Sequence, residues 1–191
     1  MSTLIRGGTV VTAEDTFRAD VYTDEGVIKA VGENIEPPGD ARVIDSGGQL
    51  VMPGGIDPHT HLELPFGGTT TSDTFETGTR AAAFGGTTCI IDFAVQMKGQ
   101  SSLEALETWH AKAAGETAID YAFHMILTDM PETRTKEMRA LADEGVTSYK
   151  MFMAYPGAMM SDDGTIFRAM RQAGEDGTLI CMHAENGVVI D

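Results

Sequence analysis

Two histidines, His59 and His61, are separated by a single residue in the segment Asp57-Pro58-His59-Thr60-His61. Side chains two residues apart in extended backbone project to the same side, so both imidazoles can face one centre, with Asp57 on that side. Paired neutral imidazoles are good ligands for zinc and similar divalent metals. The segment follows an apolar strand, and α/β proteins place their sites at the carboxyl ends of such strands. The spacing predicts a metal site, against the alternative of two solvated loop histidines.

A lysine inside an apolar strand is the second candidate. Lys150 lies in residues 147–154, which read TSYKMFMA. Lysine is rarely buried without a partner, so three interpretations stay open. The ammonium reaches solvent at the strand end, or the amine forms a Schiff base, or carbon dioxide converts the amine to a carbamate. The carbamate would turn a cation into an anionic ligand that can bridge two metals.

The remaining histidines divide into one candidate ligand and two structural residues. His183 closes the last predicted strand at the level of His61 and Lys150, as expected of ligands gathered from several strands. His110 falls in a helical run and is predicted to lie on the surface. His124 lies in mid-strand, where a core histidine with satisfied hydrogen bonds is expected. No glycine-rich phosphate loop is present.

The charge balance excludes several classes of partner. The 191 residues include 29 acidic and 13 basic side chains, and the net charge of −16 argues against nucleic acid or an anionic membrane. The hydrophobic content of 42% is enough for a globular core. Neither a secretion signal nor the roughly 20 apolar residues of a membrane span is found. Cys89 and Cys181 lie in apolar runs and are predicted to be reduced, so the expected location is cytoplasmic.

The elements that would position these residues follow an α/β pattern. Residues 1–50 predict short strands with tight turns, at 3–12, 19–23, 27–31 and 42–45. From residue 50 onward, apolar strands alternate with capped helices that start at Asp73, at Ser101 and near residues 132 and 165. These strands are predicted at 50–56, 87–93, 121–127, 148–153 and 178–182. The alternation predicts a parallel sheet, in either a doubly wound fold or a (β/α)₈ TIM barrel.

The length sets a limit on the barrel interpretation. A complete barrel needs about 250 residues, and residues 51–191 suffice for only about five of its eight units. The expectation is therefore that the chain is the first part of a longer protein.

Several motifs resemble the amidohydrolase superfamily. Residues 51–61, which read VMPGGIDPHTH, resemble the entry motif of that superfamily. Residues 148–155 (SYKMFMAY) and 182–186 (MHAEN) resemble the dihydropyrimidinase/D-hydantoinase branch, as do residues 85–88 (GGTT), 91–93 (IDF) and 5–11 (IRGGTVV). The resemblance covers essentially the whole chain and implies an α/β TIM-barrel amidohydrolase fold. It also implies that residues 1–50 are part of a small N-terminal β-sandwich and residues 51–191 an incomplete portion of the barrel.

The resemblance implies a role for each candidate ligand. His59 and His61 would bind the more buried of two zinc ions (Zn²⁺), and His183 would bind the more exposed one. Lys150, carboxylated to N6-carboxylysine, would bridge both ions together with a hydroxide. Tyr155 would donate a hydrogen bond to the oxyanion that develops as the ring amide is attacked.

The resemblance also implies a substrate pocket and marks what the chain lacks. The pocket for the exocyclic substituent would be shaped by loop residues Leu64, Pro65, Phe66, Phe152 and Met159. A second histidine for the exposed zinc and an aspartate that serves as ligand and general base would lie beyond residue 191. Residues 1–191 alone are therefore expected to be inactive and to form no stable two-metal site.

The function implied is hydrolysis of the ring amide of hydantoins or dihydropyrimidines to N-carbamoyl amino acids. The partner would be a small cyclic amide or imide, and the full-length protein is expected to be a homo-oligomer, a tetramer or a dimer. Three alternatives stay open. One is another cyclic amidohydrolase, an allantoinase or dihydroorotase. The second is a non-catalytic scaffold like the collapsin response mediator proteins, and the third is a Schiff-base aldolase that uses Lys150.

Overall fold

The computed structural model describes residues 1–190. They form two compact units, Met1–Gly54 and a larger unit that begins at Gly55. This division lies a few residues beyond the boundary expected between residues 50 and 51. Each unit has its own sheet and its own buried apolar cluster.

The first unit is built on a five-stranded mixed sheet. Its strands are β1 (Thr3–Val11), β2 (Thr16–Asp24), β3 (Val27–Gly32), β4 (Arg42–Asp45) and β5 (Leu50–Val51). β2 pairs antiparallel with both β1 and β3, whereas β4 and β5 pair parallel with β1. The hairpin between β2 and β3 turns at Glu25 and Gly26, whose φ angles of 51° and 74° suit a two-residue turn. The second sheet that a β-sandwich needs is not among residues 1–190, so the sandwich stays a prediction.

The second unit has the predicted parallel sheet. Its strands are β6 (Gly55–Thr60), β9 (Thr87–Val95), β10 (Asp120–Ile126), β11 (Ser148–Phe152) and β12 (Leu179–His183), and between β6 and β9 lies a short hairpin of β7 (Pro65–Phe66) and β8 (Thr69–Thr70). The five longer strands are all parallel, in the order β12-β11-β10-β9-β6. The α/β class with a helix-covered parallel sheet is therefore confirmed.

One predicted strand was wrong. Residues 50–56 do not form a single strand, because Leu50–Val51 belongs to the first sheet and β6 starts only at Gly55. Pro53 lies between the two strands and has no N–H to donate to a ladder, and Gly54 follows it. The prediction treated residues 50–56 as one apolar strand and therefore merged two strands that belong to different sheets.

Helices connect the parallel strands. They are α1 (Phe75–Phe84), α2 (Ser102–Ala113), α3 (Lys136–Asp143), α4 (Asp163–Asp176) and α5 (Gly187–Ile190), with a 3₁₀ turn at Glu132–Arg134 before α3. None of the helices in residues 1–190 is long and apolar enough to cross a membrane.

The predicted helix starts were partly wrong. Ser101 does cap α2, but α1 is capped by Thr74 instead of Asp73. Thr74 Oγ1 accepts from the Thr77 N–H at 3.2 Å, and Thr77 Oγ1 accepts in turn from the Thr74 N–H at 3.0 Å. A threonine at the third helical position thus completes the capping box that glutamate commonly completes.

The start of α4 supplies a test of local stability. Asp162 accepts hydrogen bonds from the N–H and the hydroxyl of Thr165, at 2.9 and 2.8 Å, and these bonds hold the pKa of Asp162 below its ordinary value. Asp162→Ala should lower the free energy of unfolding by about 1 kcal/mol, and Asp162→Asn should lose much less. The difference should shrink as acid protonates Asp162, since the aspartate cap stabilises only while it is ionised. Urea unfolding measures it, and an alanine variant as stable as the parent at neutral pH would contradict it.

Candidate metal-binding site

His59 lies in the irregular second half of β6, and His61 follows directly after this strand ends at Thr60. Asp57 lies opposite Ile90 of β9, but Thr60 lies opposite Asp92, so β6 holds one residue more than its partner over this stretch. Such a β-bulge re-aims side chains and is frequent beside active sites. The N–H of His59 donates to Asp57 Oδ1 at 3.1 Å, so the Asp57 side chain holds the backbone within the bulge.

The two imidazoles lie together as the spacing predicts. Their ring centroids are 5.1 Å apart, and both rings pack on Phe93 of β9, at 4.7 and 4.8 Å. Burial, and then the neighbouring His59, lower the pKa of His61, which favours the neutral ring that a metal requires. Nδ1 of His61 is buried and has no hydrogen-bond partner among the described residues.

Asp92 holds the chain on either side of His61, a role that was not predicted from the sequence. Its carboxylate is fully buried, and Oδ2 accepts from the Thr60 hydroxyl at 2.7 Å and from the Leu62 N–H at 2.9 Å. Burial raises the pKa of Asp92, while these hydrogen bonds act in the opposite direction. A charged residue inside the apolar run of β9 was the available signal, because a buried carboxylate needs partners.

Lys150 lies half-buried on β11, near His61 and Phe152. Its Nζ is 5.2 Å from the centroid of the Phe152 ring, and its charge contributes to the lowered pKa of His61. Among residues 1–190 its side-chain ammonium forms no ion pair and no hydrogen bond. Although the chain has a net charge of −16, no acidic side chain among residues 1–190 pairs with this ammonium.

His183 and Tyr155 form a second aromatic group, with Phe152. His183 ends β12, opposite Phe152 of β11, and the two rings stack with centroids 5.4 Å apart. The Tyr155 ring lies 5.4 Å from His183 and 5.9 Å from Phe152. Nε2 of His183 lies 2.7 Å from Glu185 Oε2 and donates to it. The structure thus brings the Tyr155 ring beside His183.

Tyr155 has an unusual backbone conformation. Its φ of 63° lies in the left-handed region, which a bulky residue adopts only when its surroundings impose it. Its carbonyl accepts from the N–H groups of Ala158, Met159 and Met160, at 3.1 to 3.2 Å. These bonds fix the backbone at Tyr155, whose ring lies beside His183.

A cavity of about 410 Å³ contains four of the five predicted pocket residues. Leu64, Pro65, Phe66 and Met159 line it, together with residues that were not predicted, among them Val95, Met97, Lys98 and Thr128. Phe152 was wrongly placed on a loop: it ends β11, is buried and does not line this cavity. Phe152 lies opposite His183 in the pairing of β11 with β12, so its ring packs on His183 instead.

The donor set fits a metal in part. Among residues 1–190, no three His, Cys, Asp or Glu side chains converge closely enough to hold an ion by themselves. The His59–His61 pair with an unpartnered buried nitrogen, beside an unpaired Lys150, does fit a site whose third ligand is a modified lysine. Cys89 and Cys181, both half-buried, are free thiols.

Comparisons with known proteins agree with this chemistry. Residues 50–189 match the model of the amidohydrolase family. The chain is 57% identical over 193 residues to a D-hydantoinase of Streptomyces coelicolor, covering 99% of this chain and 41% of that protein. It is 46% identical over 192 residues to a dihydropyrimidinase of Rattus norvegicus, covering 98% of this chain and 37% of that protein.

The crystal structure of a dihydropyrimidinase from Brevibacillus agri NCHU1002 has the same fold over this length. The TM-score is 0.96 at 51% identity, and the match covers 100% of this chain and 41% of that one. The chain thus spans about two fifths of the length of these relatives.

Proposed function

Because the chain belongs to the amidohydrolase family, we propose that it is the first part of a metal-dependent enzyme that opens hydantoin or dihydropyrimidine rings. The observation that carries the proposal is the His59–His61 pair, with a buried unpartnered nitrogen, beside the unpaired Lys150. Relatives named D-hydantoinase and dihydropyrimidinase support the substrate class.

Four residues of this chain would hold the metals. His59 and His61 would take one ion, His183 the other, and Lys150 would bridge them once carbon dioxide has added to its amine. A free ammonium between two cations would be repelled, whereas a carbamate supplies negative charge. Two bound Zn²⁺ ions would supply a nucleophile at neutral pH and polarise the ring carbonyl.

The other residues would orient and select the substrate. The Tyr155 hydroxyl would donate to the carbonyl oxygen as water adds to the carbonyl carbon, the ring C–N bond breaks and the nitrogen takes up a proton. Leu64, Pro65, Phe66 and Met159 would hold the exocyclic substituent, since the cavity that they line is mostly apolar and large enough for a side chain.

The sheet edges support a longer protein. β6 and β12 are the edge strands, and they carry exposed apolar side chains, with Ile56 65% and Leu179 60% accessible. Unpaired edges with apolar side chains are normally covered. We infer that further βα units complete an eight-stranded TIM barrel, and that a second sheet completes a β-sandwich on residues 1–50. The homo-oligomer and the cytoplasmic location stay predictions.

A substrate panel tests the proposal on the full-length protein, meaning a chain as long as the relatives. The zinc-loaded protein should convert 5-substituted hydantoins or dihydrouracil to N-carbamoyl amino acids, and allantoin and dihydroorotate much more slowly. Preference for either of the latter would move the assignment within the family. Borohydride trapping of a keto substrate on Lys150 would favour the aldolase alternative, and a metal-loaded protein that opens no ring would favour the scaffold.

A further inference from the structure

His124 has a position that a core histidine does not require. It lies on β10, and its half-buried ring forms hydrogen bonds with the two strands that carry residues of the candidate site, β6 and β11. Nε2 is 2.9 Å from the carbonyl oxygen of Pro58, on β6, and Nδ1 is bonded to the hydroxyl of Ser148, on β11. The ring therefore connects β6, which carries His59 and leads directly to His61, with β11, which carries Lys150; β9 lies between β10 and β6. We call these three residues, Pro58, His124 and Ser148, the His124 bridge.

The Pro58 end of the bridge lies within the bulge of β6. Pro58 has no N–H, and the register with β9 skips between Asp57 and Thr60, so the ladder does not hold this stretch. Side chains hold it instead. Asp57 fixes the His59 N–H, Asp92 fixes Thr60 and Leu62, and His124 fixes the Pro58 carbonyl.

The Ser148 end lies next to Lys150. Residues two apart on a strand project to the same face, so Ser148 and Lys150 share the face that His124 approaches. The His124 ring thus contacts both the strand that leads to the two histidines and the strand that carries the lysine, so it fixes the position of one relative to the other.

The hydrogen-bond chemistry fixes the orientation of the ring. A carbonyl oxygen only accepts, so Nε2 of His124 carries hydrogen in either protonation state of the ring. Ser148 can donate to or accept from Nδ1 and satisfies the ring in both cases. Phe93 packs against His124 at 4.8 Å between centroids, and the same phenyl ring contacts His59 and His61. The ring has no freedom to turn without breaking both bonds.

We propose that His124 is a positioning residue, which holds the His59–His61 bulge at the correct height relative to Lys150 for metal binding. This inference rests on the proposed metal role of those three residues. A histidine that merely fills the core would stabilise the fold and leave the metal affinity of the folded protein unchanged. Outer residues that orient metal ligands typically account for about 10-fold to 100-fold in affinity.

Four variants of the full-length protein separate the two roles. His124→Phe removes both ring nitrogens but keeps an aromatic ring against Phe93. His124→Asn retains a polar group near Ser148 but is too short to reach Pro58, whereas the amide nitrogen of His124→Gln can reach it. The control is His110→Phe, since His110 also packs on aromatic rings, Tyr121 and Phe123, and touches neither ligand strand.

Zinc affinity is measured by competition with a chromophoric chelator, and folding by circular dichroism of each metal-free variant. We expect His124→Phe and His124→Asn to bind zinc about 10-fold to 100-fold more weakly, and His124→Gln and His110→Phe to remain close to the parent. If His124→Phe does not fold, the Asn and Gln pair decides.

Equal zinc affinity in a folded His124→Asn variant would overturn the bridge. Equal weakening by His110→Phe would also overturn it, since the effect would then not depend on the bridge. A parent protein that binds zinc but opens no ring would remove the proposed function and leave this comparison intact. A folded parent that binds no zinc would overturn both.

Discussion

Replacing Lys150 by alanine should remove both bound metal and ring-opening activity from the full-length protein. The side chain is unpaired among the described residues and lies near His61 and Phe152, so its loss deletes the proposed bridging ligand without breaking an ion pair. Metal catalysis of this kind contributes several kcal/mol, and each 1.36 kcal/mol is tenfold in rate. Turnover should therefore fall by at least about 10³-fold.

The matched control is Lys136→Ala, because Lys136 is an exposed lysine on α3. Metal content by mass spectrometry and turnover of a hydantoin are read on both variants. Short-chain carboxylic acids added to Lys150→Ala should restore part of both, since a free carboxylate can take the place of the carbamate. Parental metal content in Lys150→Ala would show that the lysine is not a ligand.

Tyr155→Phe should lower turnover by about 10²-fold to 10³-fold while metal content stays at the parental level. The hydroxyl is proposed to donate to charge that appears only in the transition state, and removing one such donor typically has this effect. The substitution keeps the ring beside His183 and Phe152, and it leaves the backbone bonds that accept at the Tyr155 carbonyl. Substrate affinity should change much less than turnover.

Tyr121→Phe provides the comparison, since Tyr121 is a half-buried tyrosine on β10 that packs on Phe123. It should turn over at the parental rate. A Tyr155→Phe variant as fast as the parent would remove this residue from the mechanism, and one that loses metal would make it a structural residue.

The sequence predicted the elements of the second unit because local rules decide them. Apolar strands and glycine-terminated helices placed β9 to β12 within about two residues, and the left-handed Gly177 ends α4 as expected. The prediction failed where one apolar segment contributes to two strands and where a neighbouring residue forms the helix cap. Pro53 separates β5 from β6, and a threonine replaced the expected cap at α1.

Some contacts of the candidate site could likewise be predicted from the local sequence, and others could not. His59 and His61 share a face by a two-residue spacing, so sequence alone could pair them. Asp92 and His124 act through partners on other strands, and those contacts depend on a bulge and on a sheet register that no local pattern encodes. His124 has the satisfied hydrogen bonds that were predicted, but it is half-buried and lies outside the core, and its partners could be identified only in three dimensions.

The most direct test of the metal centre is an anomalous difference map, collected at the zinc absorption edge from crystals of the full-length protein. Two peaks are expected. One should lie at about 2.0–2.1 Å from nitrogens of His59 and His61, the other at that distance from a nitrogen of His183, and both beside extra density on the Lys150 amine. Zinc-saturated crystals of well-ordered protein with no peak at these residues would contradict it.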